Sequence, residues 1–243
     1  MKKILFTATL MSIMFVGCTT KENNQNNNEM NTTLTLTQEW DKVFPQSDKV
    51  DHKKVTFHNR FGIELAADTY TPKDATGKLA AIAVSGPFGA VKEQVSGLYA
   101  QTLAERGFLT IAFDPSFYGE SGGNSRHVAS PEISTEDFSA AVDFLSVQDN
   151  VDAERIGILG VCGWGGFSLN AAANDTRIKA TVPITMYDMS RQLAYGYFDE
   201  MDTDARYELK NSSMRSAMKI SAKVNMRWQV VYQMYCQKML PTT

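Results

Sequence analysis

Four short apolar runs alternate along this chain with segments of helical spacing, and that alternation constrains the fold more than any other feature. The runs are Leu79–Val84, Phe108–Phe113, Ile156–Val161 and Ile178–Ile184. A short continuous apolar run suits a strand buried on both faces of a sheet. Between the runs, Val95, Leu98, Tyr99 and Leu103 recur at helical spacing within Lys92–Arg106, and Gly107 ends that segment. Ser134-Thr135-Glu136-Asp137 reads as a capped helix start, with Phe138, Ala141, Val142 and Leu145 as the apolar stripe. Gly165–Ala173 reads as a helix of small residues. Upstream, Lys54–Tyr70 alternates apolar and polar residues around Asn59-Arg60-Phe61-Gly62, a hairpin pattern. Strand–helix alternation of this kind predicts an α/β fold with a predominantly parallel sheet and flanking helices. In such a sheet reactive groups belong in the loops at the carboxyl ends of the strands. Those loops are Ser85–Gly89, Asp114–Gly123, Cys162–Gly166 and Thr185–Asp188.

The 243 residues suit one large α/β domain or at most two small ones. With 24 basic and 27 acidic residues, the net charge of −3 excludes a basic surface for nucleic acid. Cys18, Cys162 and Cys236 offer neither a disulfide framework nor zinc-ligand spacing. No phosphate-cradling glycine loop of the Walker type occurs, and the sequence implies no cofactor and no metal.

Residues 1–17 read as a secretory leader: Lys2 and Lys3, then the apolar run Ile4–Val16, too short for a helix that spans a bilayer (roughly 20 residues). The ending Phe15-Val16-Gly17-Cys18 resembles a bacterial lipobox, which makes Cys18 the expected lipidation site. The alternative is an ordinary leader with a chance cysteine. Residues 18–33 are rich in asparagine and nearly devoid of apolar side chains, the composition of a tether. The expectation is a cell-envelope protein held by a lipid anchor. Thr19 rather than Asp after the acylated cysteine points to the outer membrane if the host has two. Residues 34–210 then form the folded core and 211–243 an atypical tail.

The turn Gly160-Val161-Cys162-Gly163-Trp164-Gly165-Gly166 lies between a strand and a helix. A side chain at its apex stands above the sheet, and small neighbours let the backbone fold back sharply. The helix that begins there aims free N–H groups and the positive end of its dipole at that side chain, which suits an anionic sulfur. Cys162 is therefore the candidate nucleophile; the alternative is a small buried core cysteine. The Gly163 N–H is a candidate oxyanion donor. A second donor belongs in the loop after Leu79–Val84, where Pro87 has no N–H and Phe88 or Gly89 remains; Phe88 is taken as the candidate.

On these residues the chain resembles the α/β-hydrolase superfamily over about Val55 to Asp188. The resemblance runs through the hairpin, the Ser85-Gly86-Pro87-Phe88-Gly89 loop and the turn Asp114-Pro115-Ser116-Phe117-Tyr118-Gly119-Glu120-Ser121-Gly122-Gly123. It ends with Arg155–Gly160 leading into the elbow. The elbow spacing G-x-C-x-x-G-G is similar to the X-Pro dipeptidyl-peptidase and cocaine-esterase-like branch. Cysteine in the serine position resembles dienelactone hydrolase and the fungal polyketide-transferase-like hydrolases. The resemblance implies hydrolysis or acyl transfer at the carbonyl of a small ester, thioester or lactone. It also implies a triad acid after the fourth strand, where Asp188 stands as candidate acid or as a structural cap. Asp114 and Glu120 are candidates for catalytic carboxylates or, the favoured reading, scaffold, their carboxylates bonded to backbone N–H groups.

The superfamily's chain order is nucleophile, acid, histidine. Here His52, His58 and His127 all precede Cys162. His127 lies in a loop at the catalytic end of the sheet. The stretch from Met214 onward holds Met214, Met218, Met226, Met234 and Met239 of the chain's 12 methionines, plus Cys236, and no glycine. The expectation is a truncated or frameshifted hydrolase with impaired turnover. The competing expectation is a non-catalytic lipoprotein, either a binding relic of the fold or an unstable fragment. Oligomeric state is left open.

Overall fold

The computed structural model describes residues 34–224, position 38 apart, and the leader, the tether with Cys18 and the stretch 225–243 lie outside the described residues. Its centre is a six-stranded mixed sheet in the order β1-β2-β4-β3-β5-β6. β1 (Val50–His58) and β2 (Glu64–Pro72) form the expected hairpin, paired antiparallel from Val50 with Pro72 to His58 with Glu64. Gly62, at φ +75°, turns the corner. β2 joins β4 (Leu109–Phe113) antiparallel. β4, β3 (Leu79–Ser85), β5 (Val151–Val161) and β6 (Ile178–Ile184) run parallel.

Alternation along these strands sorts side chains to two faces. Ala81, Ala83, Leu109, Ile111, Phe113, Ile156 and Ile158 pack with Phe138, Leu145 and Trp164 from the helices α2 (Pro131–Ser146) and α3 (Gly163–Asn174). Val84, Ala112, Leu159 and Val161 face the other way, against Ala100 and Ala104 of α1 (Val95–Ala104). Three further helical segments follow β6: α4 (Met189–Tyr195), a 3-10 turn at Tyr197–Asp199, and α5 (Thr203–Val224).

Two expectations are corrected. α2 starts at Pro131, not at Ser134: the Ser130 hydroxyl caps the Ile133 N–H, and Pro131 occupies the first turn, where its missing N–H costs nothing. Ser134 is buried inside the helix. β6 is not buried on both faces; among the described residues it is the sheet edge, and Val182 is 50% exposed. Beside it, Ile82, Leu103, Phe108, Leu159 and Val182 line an open apolar groove of about 390 Å³. α5 runs through 210/211, the expected boundary between core and tail.

Beneath the hairpin turn lies a buried polar knot. Asp137 accepts from the Asn59 amide, the Ser116 N–H and the Ser116 hydroxyl, each at 2.8 Å. Asn59 Oδ1 in turn accepts the N–H groups of Phe61 and Ile63 at 3.0 Å. Burial pushes the Asp137 carboxyl up from its ordinary 3.8 to about 6, although these donors pull the other way. A carboxyl whose folded pKa is raised binds its proton more tightly in the fold than in the unfolded chain. Its contribution to stability is full below pH 3.8 and is lost as pH rises through about 6. Urea-unfolding midpoints measured across that window should therefore fall with pH more steeply in the wild-type protein than in Asp137→Asn. Parallel curves would contradict this.

Candidate active site

The four parallel strands end at the same side of the sheet, and their loops meet there. Cys162 sits between β5 and α3 with φ +58° and ψ −123°, a left-handed conformation that costs a non-glycine residue about 1–3 kcal/mol. Surrounding contacts hold it. The Cys162 N–H donates to Ile184 O at 2.8 Å, and the Gly165 N–H donates to Cys162 O at 3.0 Å. Cys162 is neither fully buried nor fully exposed. It stands at the N-terminus of a helix of 12 residues, with no acidic side chain in the first turn.

The glycines around it are steric requirements. A Cβ on Gly160 would lie 2.2 Å from Trp164 O, and one on Gly86 would lie 2.4 Å from Val161 O. A Cβ on Gly163 would lie 1.8 Å from the Phe88 ring, so the ring rests directly on the Gly163 α-carbon. The structure thus brings Phe88, Gly163 and Cys162 together, the three residues singled out for nucleophile and oxyanion donors. The Phe88 ring also meets Trp164 edge-on at 4.6 Å. Trp164 meets Tyr118 of the β4 loop at 5.5 Å and Phe167 at 5.4 Å, so one fully buried indole ties three of the loops together. From the fourth loop, the Met186 Cβ would be 3.1 Å from a Cβ on Gly165.

Asp188 has a different place. It is the exposed N-cap of α4; its Oδ1 accepts from the Arg191 N–H at 2.9 Å and from the Ser190 hydroxyl at 2.6 Å. Those two bonds, the Ser190 one foremost, hold its carboxyl below the usual range. Of the two roles open for Asp188, the structure shows the cap. His52 is engaged elsewhere: its Nε2 is 2.8 Å from Asp68, and its ring lies between Trp40 and Tyr70. His127 is exposed and meets Tyr118 edge-on at 5.8 Å.

Asp114 is fully buried and accepts the N–H groups of Lys92 at 2.8 Å and Glu120 at 2.9 Å. A Cβ on Gly119, at φ +49°, would fall 2.1 Å from its carboxylate, so the turn wraps the carboxylate tightly. Sequence reasoning missed two residues, Lys92 and Trp164. Lys92 carries no local signal, because its partners Asp114 and Glu120 lie 22 and 28 residues away. Trp164 showed only as an occupant of the elbow; its burial comes from aromatic rings on other loops.

Comparison with known proteins agrees with this architecture. The chain is 60% identical over 195 residues to the Pseudomonas aeruginosa protein PA2218, covering 79% of this chain and 53% of that protein. The crystal structure of PA2218 superposes with a TM-score of 0.77, over 81% of this chain and 61% of the other. The thiohydrolase aneE of Aspergillus aculeatus is 33% identical over 138 residues, covering 57% of this chain and 42% of its own. The structure of DcsB in complex with its substrate analogue matches at 25% identity and a TM-score of 0.61, over 71% of this chain and 55% of that one. The chain spans about half the length of the curated relatives it matches. The model of the PET hydrolase-like family matches residues 44–197, more than half of the sequence, and the chain belongs to that family, within the α/β-hydrolase superfamily.

Proposed function

We propose that this protein acts on the carbonyl of a small ester, thioester or lactone, by hydrolysis or acyl transfer, with Cys162 as nucleophile. The observation that carries the reading is the strained, partly accessible Cys162 on a strand-to-helix turn. It directly precedes Gly163, on which the Phe88 ring rests, at the start of α3. The thiolate attacks the carbonyl carbon, and a C–S bond forms as the carbonyl π pair moves onto oxygen. That oxyanion is received by the N–H groups of Gly163 and Phe88, each worth roughly 3 kcal/mol in a dry site. Collapse expels the alkoxide or thiolate with its bonding pair and leaves a thioester on Cys162. Relatives named as a thiohydrolase, a polyketide transferase and an acyltransferase are compatible with this chemistry.

All three histidines precede Cys162. A saturating activated ester drives acylation ahead of deacylation, so that the thioester accumulates. Treating the protein with p-nitrophenyl acetate and measuring intact mass should show one acetyl group, located on Cys162. The same adduct in Cys162→Ala, or no adduct in the wild type, would refute the reading. A folded domain whose Cys162 stays unreactive would support the second reading, a binding protein on the same scaffold. The apolar groove beside β6 gives that reading a surface.

The anchor is part of the proposal. Cys18 carries the lipid, residues 18–33 tether the domain, and the outer membrane is the expected site in a host with two. Cys18→Ala should move the protein from the membrane to the soluble fraction; an unchanged distribution would refute the anchor.

A further inference from the structure

The site leaves one buried cation without a role. Lys92 lies in the loop that follows β3, three residues before α1, and its side chain has no exposed surface. Its ammonium lies 3.1 Å from Asp114 Oδ2 and 2.6 Å from Glu120 Oε2, and it also touches Glu93. Burial opposes the charge on Lys92, but Asp114, Glu120 and Glu93 outweigh it and hold the ammonium protonated well above its ordinary range. Lys54 extends the ladder, 2.9 Å from Glu120 and 2.8 Å from Asp41. The carboxylates of Asp41, Glu93 and Glu120 converge as the ligands of a cation would, and Lys54 Nζ is the cation that reaches all three. The segment before β1 closes over this ladder, through Val43 N–H to Glu93 O at 3.0 Å and Thr37 N–H to Glu120 Oε1 at 2.8 Å.

A buried ion network is a poor way to stabilise a fold, because desolvating each charge costs several kcal/mol that an apolar side chain would not. What it supplies is fixed geometry. The loop 86–92 is held at its start by Gly86 against the elbow backbone and in its middle by the Phe88 ring on Gly163. At its end Lys92 is tied twice to Asp114, by its N–H at 2.8 Å and by its ammonium. Asp114 leads out of β4 and has no freedom of its own, since it also accepts the Glu120 N–H and is wrapped by Gly119.

We infer that Lys92 is a positioning residue, locking loop 86–92 onto the turn after β4 and so fixing the Phe88 N–H relative to Cys162. This role rests on the acyl-transfer reading. Two reactions of the full chain separate them, both followed by peptide mass at Cys162. Acetylation by p-nitrophenyl acetate develops an oxyanion, and alkylation by iodoacetamide does not. Lys92→Met should slow acetylation roughly tenfold to hundredfold, the scale of a misplaced oxyanion donor, with alkylation unchanged. Lys92→Arg, which keeps the charge, should recover most of the rate. Equal losses in both reactions, or no loss in either, would overturn the role. If Lys92→Met does not fold, Glu120→Gln removes one partner's charge at constant size, and the same selective loss is expected in smaller measure; an unselective loss would again overturn it. A wild-type chain with no acetyl on Cys162 refutes the acyl-transfer reading and this role with it. A labelled wild type with unselective variants refutes the role alone.

Discussion

Gly160→Ala is expected to destabilise the domain by about 3 kcal/mol or more, at the top of the range for overpacked positions. The added Cβ would lie 2.2 Å from Trp164 O, 2.7 Å from the Trp164 carbonyl carbon and 2.7 Å from the Ser168 hydroxyl. Two of those three atoms are backbone in the first turn of α3 and cannot rotate away. Relief requires moving α3 off β5, which breaks the turn that carries Cys162. Gly157, on the same strand, is the control. A Cβ there meets Ala180 O at 3.2 Å, a contact that β6 can relieve by a small shift at the sheet edge. Gly157→Ala should therefore cost less than about 1 kcal/mol. Urea denaturation of both variants measures the difference, and comparable losses would show that the crossing of β5 and α3 is not the constraint.

Trp164→Ala should cost about 3–5 kcal/mol, the range for truncating a buried aromatic side chain. Trp164 has no exposed surface and meets Phe88, Tyr118 and Phe167 edge-on. Removing it leaves a cavity among three loops whose backbones are already fixed by Gly86, Asp114 and Cys162, so collapse into the space is resisted. Trp164→Phe should be far milder. Among the described residues the buried indole N–H has no hydrogen-bond partner, and such a group costs about 1–3 kcal/mol to desolvate. Phenylalanine gives up packing volume but removes that penalty. Melting the two variants side by side tests the balance: a Phe variant as unstable as the Ala variant would mean that the indole N–H is satisfied in solution.

The elements that position the site were readable because their signals are local. Continuous apolar runs marked β3, β4 and β5, and the hairpin showed its period of two. The glycine-flanked turn after β5 marked Cys162 as the residue at the bend. Elsewhere local signals compete. Ser134 mimicked a cap three residues inside a helix whose true cap is Ser130, and Pro131 outweighed it as a start. The apolar content of β6 suggested burial on both faces, but composition cannot tell a central strand from an edge strand. That depends on neighbours, and β6 has one among the described residues. Asp188 was open between triad acid and cap; both suit an aspartate after a strand, and the Arg191 N–H within reach makes it a cap.

Residue order alone carries the alternation of strand and helix, the parallel core, and the sharp turn that lifts Cys162 above the sheet, since each follows from patterns over fewer than about 15 positions. The surroundings of that sulfur come from folding in three dimensions. The Phe88 ring on Gly163, the Trp164 hub and the Lys92 ladder are contacts between loops far apart in sequence. Their energies depend on burial and on the approach of charges across the sheet's end, quantities that do not exist until the strands have paired.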